Sequence, residues 1–169
     1  NLRIMLPMVS NLTELQEALD LVERSYRELS QEGMELPPKP PIGVMIEVPA
    51  AVYQARAIAR RVDFLSVGSN DLTQYLLAVD RNNARVADLY HAFHPAVLQA
   101  LQQVVAAAQQ ENKPVSICGE LAGDPAAAIL LTAMGFDALS MNSISLPRVK
   151  KALRSVSLAE ARQLLDEVL

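Results

Sequence analysis

A single cysteine among 169 residues rules out an internal disulfide and fits a reducing compartment, so a cytoplasmic setting is expected. No apolar stretch is both long enough and free enough of charge to span a bilayer, and no signal-peptide pattern opens the chain. Charge of either sign is scattered. The formal net charge is only −4, which gives no footing for nucleic-acid binding. No Gly-x-Gly-x-x-Gly turn follows a strand-like run, which counts against a dinucleotide fold. Hairpin signals are also missing, so neighbouring strands are expected to run parallel with right-handed crossovers.

What is present is a core-forming composition, 51% hydrophobic against 20% charged, enough for one domain over 1–169 and too apolar for a largely disordered chain. Strand-like runs alternate with helical patterns. The runs are Arg3 to Val9, with Pro7 bending its end, Ile42 to Val48, Phe64 to Gly68, Pro114 to Cys118 and Ala138 to Met141. Helices are expected from the caps Ser10-Asn11 to about Gln31, from about Ala51 to Arg60-Arg61, from about Leu72, from Ala96 to Gln110 and from Ala126 to Met134. Two more close the chain, around Pro147 to Arg154 and, after Ser157, Leu158 to Val168. The Pro-rich link Leu36 to Pro41 is an exposed connection. Five strand–helix units suit either an open doubly wound sheet or part of a (β/α)8 barrel, which normally needs about 250 residues. The chain begins at Asn1 and runs straight into a strand-like segment, which suggests a piece of a longer protein.

The chemistry collects where strands end. Ser69-Asn70-Asp71 follows the apolar run Phe64 to Gly68, at the edge where α/β proteins bind ligands. An amide and a carboxylate there can hold a phosphate or a metal, or simply cap the next helix. Glu47 lies inside another apolar run, close to its carboxyl end, so its carboxylate must be paired, protonated or bound to a cation; a salt bridge to a loop Arg is the bland reading. Glu47 and Asp71 together make a plausible Mg2+ site, completed by substrate phosphate and water. Arg81, in the polar break Val79 to Asn83, can clamp a phosphate or stay solvated. Cys118 is either a small apolar residue or a proton donor, mostly protonated near neutrality and open to tuning by Glu120. His91 and His94 flank a helix start, where structural roles are expected.

Gly43 to Ala51, Val67 to Tyr75, Ala78 to Arg81, Cys118 to Asp124 and Leu139 to Asn142 occur in an order that closely resembles the carboxyl-terminal domain of Enzyme I. That family comprises the phosphoenolpyruvate–protein phosphotransferases of the bacterial phosphotransferase system. Arg81 to Ala87 and His94 to Leu98 look closer to its nitrogen-related branch. The resemblance implies a phosphoenolpyruvate-binding (β/α)8 barrel, of which this chain is the last five units. It implies Glu47 and Asp71 as Mg2+ ligands, Asn70, Asp71 and Arg81 as substrate-binding residues, and Cys118 as the acid that protonates enolpyruvate. The family's phosphoryl-accepting histidine lies in a separate amino-terminal domain, with the docking site for a histidine-containing phosphocarrier protein, and matches neither His91 nor His94. Two further substrate arginines belong to early barrel strands, and Arg3 matches neither. A homodimer and little or no activity of the chain alone are also expected.

Other readings stay open at this point. A pyruvate phosphate dikinase or phosphoenolpyruvate synthase relative shares the barrel, as does a Mg2+-dependent pyruvate aldolase, which has no evident use for Cys118. A different class of role is a dimerisation module without independent catalysis, driven by exposed strand edges.

Overall fold

The computed structural model describes residues 2–169. Five strands form one parallel sheet: β1 (Ile4–Leu6), β2 (Ile42–Ile46), β3 (Phe64–Gly68), β4 (Val115–Cys118) and β5 (Ala138–Ser140). Their spatial order is β1-β2-β3-β4-β5, the same as their order along the chain. An order that never reverses has no switch point of the doubly wound kind. Right-handed crossovers then put every connecting helix on one face of the sheet. The doubly wound alternative is therefore set aside.

The helices among the described residues are α1 (Leu12–Gln31), α2 (Pro49–Tyr53), α3 (Ala55–Ala59), α4 (Ser69–Leu77), α5 (Pro95–Gln110), α6 (Pro125–Met134), α7 (Leu146–Leu153) and α8 (Leu158–Val168). Alternation along the strands sends Val44, Ile46, Leu65, Val67, Val115 and Ile117 to the helical side, where they are buried against Ile58, Val97, Leu101 and Val104. Met45, Ser66, Ser116 and Cys118 fall on the opposite face, together with exposed Ala138 and Ser140. None of the helices is long and apolar enough to cross a membrane.

Three elements differ from the sequence-based expectation. The first strand stops at Leu6 rather than Val9, because Pro7 cannot donate to the ladder and Met8 then adopts a left-handed backbone, φ 55°. The helix expected from Ala51 to Arg61 is two, broken at Gln54 (φ −106°, ψ 5°). There the Gln54 amide donates to the carbonyl of Ser10, 44 residues away, at 3.0 Å. The third is α4, which starts at Ser69, directly after the last residue of β3. Asn70 and Asp71 therefore lie inside its first turn.

Candidate active site

The carboxyl ends of β2, β3 and β4 come into line through the strand register. Ile46 pairs with Val67 and Gly68 with Cys118, so Glu47, Gly68 and Cys118 make a row, extended by Ser140 opposite Cys118. Gly68 is required in that row. A Cβ there would stand 2.6 Å from Glu47 Oε2 and 3.1 Å from Met45 Sδ.

Glu47 is only 4% exposed, and no salt bridge reaches it among the described residues. Its Oε1 accepts the backbone N–H of Met8 at 2.8 Å, the bond for which the left-handed turn after Pro7 is shaped. Burial raises its pKa above the ordinary carboxylate range. The Met8 N–H opposes that shift and the Asp71 charge adds to it. The salt bridge to a loop Arg is thus absent, and the carboxylate is short of positive charge.

Asp71 faces Arg81, whose Nη2 lies 3.7 Å from Oδ1, and both side chains keep a third or more of their surface exposed. Arg81 is thus near Asp71 while still partly open to solvent. Neither Asn70 nor Asp71 caps α4: Gly68 occupies the cap without a side-chain bond. Asn70 Oδ1 instead accepts the Glu120 N–H at 3.2 Å, which leaves the amide NH2 as the part of the side chain with donors to offer. The approach of the two loops depends on Gly119. Its φ of 119° and the closeness of Ser69 Oγ and Asn70 Oδ1 leave no place for a side chain.

Cys118 is half-buried, and its Sγ lies 3.5 Å from the Val67 carbonyl oxygen. Burial pushes its pKa up. The Glu47 charge adds to that, the Ser66 hydroxyl opposes it, and the Asp71 charge adds again. The carboxylates that raise the thiol's pKa are Glu47 and Asp71. A neutral thiol beside two carboxylates is an acid rather than a nucleophile. His94 Nδ1 accepts the Ala96 N–H as the cap of α5, a structural role, and His91 is exposed. Arg3 lies over the Phe64 ring, 5.5 Å from its centroid, at the amino ends of the strands and away from the row.

Glu47, Asp71, Arg81 and Cys118 are therefore one electrostatic neighbourhood, with Asn70 on its rim. No cluster of three or more His, Cys, Asp or Glu side chains fit to enclose a metal occurs among the described residues. Two carboxylates, one of them buried without a cation, are the hard-oxygen donor set that Mg2+ takes from proteins when phosphate and water supply the rest.

The family described as PEP-utilising enzyme, PEP-binding domain, matches residues 1–158. The chain belongs to that family. The phosphoenolpyruvate-dependent phosphotransferase system protein of Escherichia coli is 50% identical to it over 165 residues, 97% of this chain and 22% of that protein. A phosphoenolpyruvate-protein phosphotransferase of Haemophilus influenzae is 44% identical over 168 residues, 99% of this chain and 29% of that protein. The chain thus spans less than a third of the curated relatives it matches. A citrate lyase of Burkholderia xenovorans shares the fold with a TM-score of 0.65 at 21% identity, over 89% of this chain and 48% of that one.

Four residues that shape the candidate site in this PEP-utilising enzyme domain had no expected role: Met8, Gly68, Gly119 and Tyr90. The two glycines sit at strand ends inside the recognised motifs, where a required close approach is the usual reason for a glycine. Met8 acts through its backbone N–H and Tyr90 through a contact across 20 residues. Neither leaves a local signal.

Proposed function

We propose that this chain supplies the phosphoenolpyruvate site of a phosphoenolpyruvate–protein phosphotransferase. The enzyme moves the phosphoryl group to a histidine on another domain and then to a phosphocarrier protein, releasing pyruvate. The observation that carries this reading is the row at the strand ends, where a buried carboxylate that no Lys or Arg pairs among the described residues lines up with a half-buried thiol whose pKa is raised. Phosphoryl transfer asks for positioning and charge neutralisation. Asn70 presents its amide NH2 and Arg81 its guanidinium to the phosphate, while Glu47 and Asp71 are the residues that would hold Mg2+. When bound, that ion supplies positive charge against the phosphate oxygens.

Loss of the phosphoryl group to the acceptor nitrogen leaves the enolate of pyruvate. The Cys118 S–H proton then passes to the methylene carbon, giving pyruvate and a thiolate, which regains its proton from solvent. The same reading makes the sheet five consecutive units of a (β/α)8 barrel. An unreversed strand order and helices on one face support it, since in such a barrel the face without helices is the interior. A cytoplasmic homodimer belongs to this reading as well.

The test is pyruvate release from phosphoenolpyruvate by the full-length protein with Mg2+ and phosphocarrier. Cys118→Ala should slow it by about 10²–10⁴-fold while leaving phosphoenolpyruvate binding intact. An unchanged rate would mean that the cysteine is structural or that the chemistry is of an aldolase type.

A further inference from the structure

Between α4 and α5 the chain makes a long excursion, 78–94, whose only regular element is a short 3-10 helix at Ala87–Leu89. It leaves α4 through a left-handed Ala78, φ 53°, and carries Arg81 near its start. Asn82 to Arg85 is exposed, so packing alone does not hold this loop over the site.

Two ties bring it back to α4. At the near end the Arg81 N–H donates to Gln74 Oε1 at 3.3 Å. At the far end the Tyr90 hydroxyl donates to the carbonyl oxygen of Asn70 at 3.3 Å. The phenol is half-buried, and several polar groups lie near its oxygen. The Thr73 hydroxyl, wholly buried and without a bond of its own, lies beside it, as do the Arg81 guanidinium and the Glu120 carboxylate. Arg81 therefore has both the Asp71 carboxylate, at 3.7 Å, and the Tyr90 phenol for neighbours. A long, rotamer-rich side chain gains direction from two such neighbours.

We infer that Tyr90 is a positioning residue for phosphate binding, its hydroxyl tying the loop that carries Arg81 to the first turn of α4 that carries Asn70. This inference rests on the phosphoenolpyruvate reading above. On this reading the hydroxyl touches neither substrate nor metal. It sets the distance between two groups that do, so its loss should weaken binding and spare the chemical step.

The experiment compares wild type, Tyr90→Phe, Arg81→Ala and the double variant of the full-length protein, measuring KM and kcat for phosphoenolpyruvate and the melting temperature. Removing one positioning hydrogen bond should raise KM about 3- to 10-fold with kcat within about twofold and melting unchanged. In the Arg81→Ala background the same substitution should add less than about twofold, because the group it positions is gone. A KM for Tyr90→Phe within twofold of wild type would overturn the inference, and so would an equal rise in both backgrounds. If Arg81→Ala itself leaves KM unchanged, the phosphate role of Arg81 fails and the inference falls with it. A large effect of Arg81→Ala beside a silent Tyr90→Phe sinks the inference alone.

Discussion

Glu47 carries a cost that its surroundings only partly offset. One backbone N–H from Met8 meets a carboxylate that is buried and repelled by Asp71, so its folded-state pKa is raised. The sign of the linkage follows. Below the unfolded carboxylate pKa both states are protonated and nothing is lost. As pH rises through the interval up to the folded pKa, the unfolded chain releases its proton first and stability falls. Glu47→Gln keeps an acceptor for Met8 and removes the charge. Without divalent cation it should therefore melt above wild type at pH 8, by about 2–4 °C for each kcal/mol relieved, with the gap closing towards pH 4. Added Mg2+ should raise the wild-type midpoint and leave the variant's where it was. Calorimetry in both buffers checks this, and a variant less stable at every pH would mean that Glu47 has a partner it needs.

At the level of elements, the last helix tests whether stability and binding are separable. α8 begins with a complete capping box: Ser157 accepts the Glu160 N–H while the Glu160 carboxylate accepts the Ser157 N–H at 2.7 Å. Ser157→Ala should cost about 0.5–2 kcal/mol of stability by thermal or denaturant unfolding, and leave KM for phosphoenolpyruvate unchanged in the full-length protein. Signals of this kind explain why so much of the fold could be read from residues. Asp124-Pro125 opens α6 and Gly135, φ 102°, closes it, so both ends were legible. Strands β2 to β4 were legible because apolar runs end on Glu47, Gly68 and Cys118. The break at Gln54 was not, since no Pro or Gly marks it and the bond its side chain makes there reaches Ser10 in another unit. For the site, the positions of Glu47, Asp71, Arg81 and Cys118 were visible as polar residues at strand and helix ends. Their common neighbourhood was reached mainly through the family resemblance, because register and loop closure, which spacing does not show, place them together. The early start of α4 was not legible for another reason: a helix that opens on Gly68 without a side-chain cap leaves no capping signature to read.

The whole molecule has one helical face and one bare one, and its outer strands β1 and β5 pair on one side only. Exposed edges invite association. Sedimentation of the isolated chain over a range of concentrations should show growth in mass, with a plateau at two copies if the pairing is specific. The same preparation should form no pyruvate from phosphoenolpyruvate and phosphocarrier, because His94 serves as a cap and His91 stands outside the row. Full turnover from this chain alone would overturn the placing of the acceptor histidine on another domain. The row Glu47–Gly68–Cys118 bears on folding fidelity as well. Side chains alternate between faces along a strand, so a slip of one residue in the pairing of β2 or β4 would swing Glu47 or Cys118 to the helical side and bring an aliphatic neighbour into its place. A mispaired molecule would then be silent instead of sloppy, and activity per molecule would serve as a direct assay of correct register.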